Sequence, residues 1–100
     1  MNTKLEEIDG KYMVTLEGEM DTAAAHEAEA VLKPLYKSDG KDVIIDCINL
    51  TYLSSGGLRI LLTILKGAKA SNSKVVMRGA SDEIKKIFQL TGLISYFDFE

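Results

Sequence analysis

One hundred residues, 46% hydrophobic and 27% charged with a single proline, make a chain that buries a core rather than staying disordered, and 1–100 reads as one domain. A formal net charge of −3 and a pI of about 5.1 give a field that repels polyanions, which argues against nucleic acid and an anionic bilayer as partners. No apolar run approaches the ~18 residues of a membrane span, and Met1-Asn2-Thr3-Lys4-Leu5-Glu6 lacks a signal-peptide core, so no membrane insertion and a cytoplasmic location are expected.

Residues 11–17 alternate Tyr12, Val14 and Leu16 against Met13, Thr15 and Glu17, the period of a half-buried strand. Residues 5–8 and Asp9-Gly10 supply its hairpin partner and turn. After Gly18, Asp21 and Thr22 are both suitable helix caps, and Ala28, Val31, Leu32 and Leu35 follow at i, i+3, i+4 and i+7. Pro34 lies inside that helical pattern and predicts a kink or a tightened last turn before Ser38-Asp39-Gly40. Residues 42–48 form a short apolar run broken only by Asp46, as in a strand covered on both faces, so the sheet is expected to have a buried centre. Cys47 falls in this run, without a partner cysteine or neighbouring metal ligands, and reads as a small core residue.

From Leu58 onward, Leu58, Leu61, Leu62 and Leu65 repeat at helical spacing, with Gly67 and Ser71-Asn72-Ser73 closing the segment. Residues 74–77 read as a strand, and Ser81 caps a third helix carrying Ile84, Ile87 and Phe88 on one face, with Gly92 as its left-handed terminus. Residues 94–99 read as a last short strand or an extended tail. Helices alternating with the later strands require crossovers, so the fold class is α/β with a partly parallel sheet and a β-hairpin at the start.

The junction Tyr52-Leu53-Ser54-Ser55-Gly56-Gly57-Leu58-Arg59 carries the candidate chemistry. A hydrolase nucleophile elbow needs glycine two residues before and two after the serine; for Ser55, Gly57 matches and Leu53 does not. A serine also needs a base, and the one histidine, His26, sits beside Glu27 and Glu29 in the first helix as a solvated or half-buried residue. No catalytic residue, metal or cofactor is therefore assigned. Gly56-Gly57 opens a helix but lacks the spacing and lysine of a phosphate-binding loop, so nucleotide binding is not assigned either. A covalent phosphate suits the same place, because a dianion on Ser55 lies at the positive end of the following helix.

The run 46–62, Asp-Cys-Ile-Asn-Leu-Thr-Tyr-Leu-Ser-Ser-Gly-Gly-Leu-Arg-Ile-Leu-Leu, resembles the signature of STAS domains, in particular bacterial anti-sigma factor antagonists. Leu16-Glu17-Gly18-Glu19-Met20-Asp21 is similar to the segment leading to that family's first helix, and Leu90-Thr91-Gly92-Leu93 to its late Thr/Ser-Gly-Leu turn. The resemblance implies a STAS (anti-sigma factor antagonist-like) fold: a mixed four- to five-stranded β-sheet with three or more helices packed mainly on one face. It also implies a regulatory protein that is no enzyme. Its partner is an anti-sigma factor that is itself a serine kinase; binding frees a sigma factor, phosphorylation breaks the complex, and a serine phosphatase restores it.

Matching Gly57-Leu58 to the family's Gly-Leu puts the phosphorylated residue at Ser55, with Ser54 as the alternative. Asp21, Thr22, Ser54, Ser55, Gly56, Gly57 and Arg59 are the implied partner-binding residues; for Asp21 and Thr22 capping, and for Ser55 capping alone, stand as the other readings. Asp46 is assigned to satisfying backbone amides of the 49–53 loop, with a partner contact as the other reading. Ser54 stands where one branch of the family has aspartate, Gly56 where serine or alanine is commoner, and Phe97 and Phe99 are expected to be more exposed for want of a further helix. The competing reading is a non-phosphorylated STAS accessory subunit of a transport or stress-signalling ATPase assembly. Oligomeric state stays open.

Overall fold

The computed structural model describes residues 1–37 and 39–100. Strands β1 (Asn2–Ile8) and β2 (Lys11–Met20) form an antiparallel hairpin whose turn residues Asp9 and Gly10 both have positive φ, as a two-residue type I′ connection needs. The first half of β2 pairs in parallel with β3 (Val43–Asp46), in the register Tyr12↔Val43 to Thr15↔Asp46. Past a bulge at Gly18 and Glu19, its last residues pair in parallel with β4 (Leu50–Leu53) instead. Gly18 permits this change of partner: its φ is +98°, and a side chain there would start 3.3 Å from the Met1 Cα. β5 (Val75–Arg78) and β6 (Asp98–Phe99) complete a sheet of order β1-β2-β3-β5-β6, with β4 on the far end of β2.

The helices α1 (Thr22–Leu32), α2 (Ser55–Ala70) and α3 (Asp82–Leu90) make the crossovers. Their apolar stripes join Val14, Leu16, Val43, Ile45, Val75 and Met77 in one core. Alternation along the strands leaves Met13, Ile44 and Val76 half-buried on the opposite side. The expectation that residues 42–48 are covered on both faces is thereby corrected: only the side bearing Val43 and Ile45 is closed, and Ile48, beyond the strand end, is 61% exposed. Cys47 is fully buried, and burial, with a lesser contribution from the Asp46 charge, pushes its thiol up to about 12.

Three further corrections follow from packing. The 49–53 loop is strand β4 from Leu50 onward. Val31 is 39% exposed, because α1 buries Ala25, Ala28 and Leu32 and then tightens into a 3-10 turn at Lys33–Tyr36, where Pro34 helps return Leu35 to the core. Ser38 lies outside the described residues. Phe97 is buried and Phe99 half-buried, because both set their rings edge-on against Phe88 at centroid distances of 5.2 and 5.3 Å.

At the other ends the expected chemistry is in place. Ser81 Oγ accepts from Ile84 N at 3.2 Å to start α3. The chain leaves α3 through Gly92 with two closing bonds, Leu93 N to Phe88 O at 2.8 Å and Gly92 N to Gln89 O at 3.1 Å. The second helix starts at Ser55, three residues before the leucine stripe, and passes through Gly67 to Ala70. No helix among the described residues is long and apolar enough to cross a membrane.

Candidate functional site

Parallel pairing of the end of β2 with β4 sets the starts of α1 and α2 side by side, since each helix leaves directly from its strand. Met20 pairs with Leu53, and the Met20 carbonyl accepts the Ser54 N–H at 2.9 Å. A methyl on Gly56 would stand 3.6 Å from the Ala25 Cβ, an ordinary contact, so the first turn of α2 faces that of α1 with room for a small side chain. Asp21 Oδ1 accepts from Ala24 N at 2.8 Å, and Ser54 Oγ accepts from Gly57 N at 3.2 Å. Each is an oxygen cap over otherwise unpaired helix amides.

The two serines have different surroundings. Ser54 is 7% exposed and its hydroxyl is held in the cap. Ser55 is the first residue of α2, is exposed, and makes no side-chain hydrogen bond among the described residues. Capping is thus the work of Ser54, and the reading of Ser55 as a cap alone falls away. Gly57 is buried: a side chain there would begin 2.7 Å from Leu53 Cδ1 and 2.9 Å from Met20 Sδ. It lets α2 descend onto the two strand ends and presents nothing to solvent. Asp21, Thr22 and Arg59 are exposed, and Gly56 is partly so.

Arg59 lies one turn into α2 and reaches across to α1. Its Nη1 and Nη2 stand 3.5 and 3.4 Å from the two carboxylate oxygens of Glu29, while the Tyr36 hydroxyl donates to Glu29 Oε2 at 2.6 Å. Tyr36, then Arg59, hold the Glu29 carboxyl below its ordinary range. Burial, then the bond to Glu29, push the Tyr36 hydroxyl up to about 12. Neither Glu29 nor Tyr36 was distinguished in the sequence as a site residue; their seven-residue separation on one helical pattern is the only local signal, and the meeting with Arg59 is tertiary. Ile48 and Tyr52, the latter 47% exposed, add large apolar surface on the segment leading to Ser54. Asp46 Oδ1 accepts from Ile48 N at 3.0 Å, so it turns the chain between β3 and β4, one residue earlier than the amides assigned to it. Among the described residues no hydrogen bond joins His26 to either serine, so no nucleophile and base are paired.

A sequence profile described as the STAS domain matches residues 2–100. The chain belongs to the STAS domain family. This STAS domain is 32% identical over 85 residues to the anti-sigma-B factor antagonist of Staphylococcus aureus strain NCTC 8325 / PS 47, covering 85% of this chain and 79% of the relative. Among solved structures it is similar to the anti-sigma factor antagonist SpoIIAA in its unphosphorylated form, with a TM-score of 0.80 and 20% identity over 99% of this chain and 88% of that one. The phosphorylated form of the Bacillus cell fate determinant SpoIIAA gives a TM-score of 0.75 at 20% identity, covering 99% and 91%. At that identity both likenesses show the fold, an α/β STAS fold with three helices and a mixed sheet, here of six strands.

Proposed function

We propose that this STAS domain is an anti-sigma factor antagonist, a regulatory binding protein rather than an enzyme, and that it is switched by phosphorylation of Ser55. In its unphosphorylated form it binds an anti-sigma factor that is also a serine kinase and so releases a sigma factor. The kinase moves the γ-phosphoryl group of ATP to Ser55 Oγ, with loss of the hydroxyl proton and release of ADP, and a serine phosphatase reverses the change by hydrolysis. These exchanges belong in the cytoplasm, where ATP and sigma factors meet.

The observation that carries this reading is the division of labour between the adjacent hydroxyls: Ser54 is buried and occupied as the cap, Ser55 exposed and unoccupied. A kinase can take Ser55 into its active site without dismantling the first turn of α2. The relatives named as anti-sigma factor antagonists, and SpoIIAA with its two phosphorylation states, support the same reading. Ser55, Asp21, Thr22, Gly56 and Arg59 form the contact surface, with Tyr52, two residues before Ser54, as an exposed apolar anchor. Ser54 and Gly57 act from beneath by fixing the turn. A dianion in the centre of such a contact must shed its water and repels acidic groups of the partner, so binding fails with no change of fold.

The test is titration of the anti-sigma factor kinase from the same genome with wild-type protein, Ser55→Ala and Ser55→Asp, each checked for folding by circular dichroism. Ser55→Ala should bind like wild type and accept no phosphate there, and Ser55→Asp should bind at least tenfold more weakly. Equal, tight binding by the two variants contradicts the switch.

A further inference from the structure

We infer that Arg59 is the internal partner of a phosphate on Ser55, and that phosphorylation moves this arginine from Glu29 on α1 to the modified residue on its own helix. The inference rests on the reading of Ser55 as the phosphorylated residue. Ser55 and Arg59 are four residues apart within α2, so their side chains rise from the same face with Cβ atoms about 5–6 Å apart. Both are exposed, and nothing buried has to open for them to meet.

The present hold on Arg59 is loose. Its two contacts to Glu29 are 3.4 and 3.5 Å, well beyond the about 2.7–2.9 Å of a charge-assisted hydrogen bond, and its side chain is 62% exposed. Glu29 does not depend on it, because the Tyr36 hydroxyl donates to the same carboxylate at 2.6 Å. A phosphate offers close to two negative charges and three acceptor oxygens to a planar fork that pairs with it bidentately. One donor therefore changes hands: Arg59 leaves a single carboxylate that keeps its better partner and takes a dianion one turn away.

This gives the modification a second effect at the surface. Besides adding a phosphate, it withdraws from α1 the arginine that bridges the two helices and would otherwise be available to an acidic partner. The charged and titratable groups around the exchange are Asp21 at the start of α1, His26, Glu29 and Lys33 along α1, and Arg59. The acids oppose ionisation of the phosphate and the cations favour it.

The experiment installs phosphoserine at position 55 of the full chain by genetic encoding, so the outcome does not depend on whether a cellular kinase uses that residue. Phosphorus NMR then follows the second ionisation of the phosphate in wild type, Arg59→Gln, Arg59→Lys and Glu29→Gln, each first checked for folding. A nearby guanidinium favours the dianion, so the acid dissociation constant should fall about three- to tenfold in Arg59→Gln, partly recover in Arg59→Lys, and rise in Glu29→Gln, where the competitor for Arg59 is gone. The same titration in wild type and Arg59→Gln would overturn the exchange. Failure of the kinase to modify Ser55 in the unaltered chain would instead remove the switch reading and leave this measurement untouched.

Discussion

The starts of α1 and α2 perform the same structural task in unlike surroundings. Each helix leaves a parallel strand end and covers its first amides with one oxygen, Asp21 for Ala24 N and Ser54 for Gly57 N. At α1 the cap is exposed and the next residue, Thr22, is exposed too; at α2 the cap is sealed beneath the surface and only Ser55 emerges. Burial, not residue type, separates the two adjacent serines into a buried cap and an exposed hydroxyl. The difference arises one residue deeper, where Gly57 lies against Leu53 and Met20 and draws α2 down onto the strands.

The largest effect should come from filling that contact. Gly57→Val places a branched side chain against Leu53 and Met20 and is expected to cost about 3 kcal/mol in urea unfolding. Ser54→Ala removes the cap and leaves the Gly57 amide without its partner, an expected loss of about 1–2 kcal/mol. Asp21→Ala should cost less, about 0.5–1 kcal/mol, because water can reach the freed Ala24 amide. Ser55→Ala should stay within about 0.5 kcal/mol of wild type, since its hydroxyl makes no hydrogen bond among the described residues. If Ser55→Ala were instead as costly as Ser54→Ala, the division between the two hydroxyls would be wrong.

Alkaline titration sharpens the comparison through one titratable group near each of the two helices in the chain. Cys47 precedes β4 and α2, Tyr36 follows α1, and the fold raises them from ordinary values of 9.0 and 10.0 to about 12 in each case. Both are raised, so the stability they add is complete below the ordinary value and disappears as pH climbs to the folded value. The urea midpoint should therefore begin to fall above about pH 9, and the fall should shrink in Cys47→Ala before Tyr36→Phe has any influence. A midpoint level to pH 11 would show that neither group is held neutral by the fold.

Much of the architecture was legible because it rests on local periods. The β1–β2 hairpin, the Asp21 and Ser81 caps, the tightening at Pro34 and the exit through Gly92 follow from neighbours in the chain. β4 was not legible, because Leu50–Leu53 has buried ends and an exposed middle rather than an alternation, and it pairs with β2 only beyond a bulge more than thirty residues away. Ile48 and Val31 misled through hydrophobicity, which reports what a residue tolerates and not which side of an element it occupies. At the site, the motif located the junction, but two identical side chains in sequence cannot say which one is buried. The meeting of Glu29, Tyr36 and Arg59 required the packing of α1 against α2.

The most direct test of the division between the serines is phosphopeptide mass spectrometry on this protein isolated from its own cells in growth and under stress, with fragmentation that resolves Ser54 from Ser55. The structure and the proposed switch together predict phosphate on Ser55 alone, with an occupancy that changes with condition. Phosphate on Ser54, or a well-covered junction that is unmodified in every condition, would contradict the account.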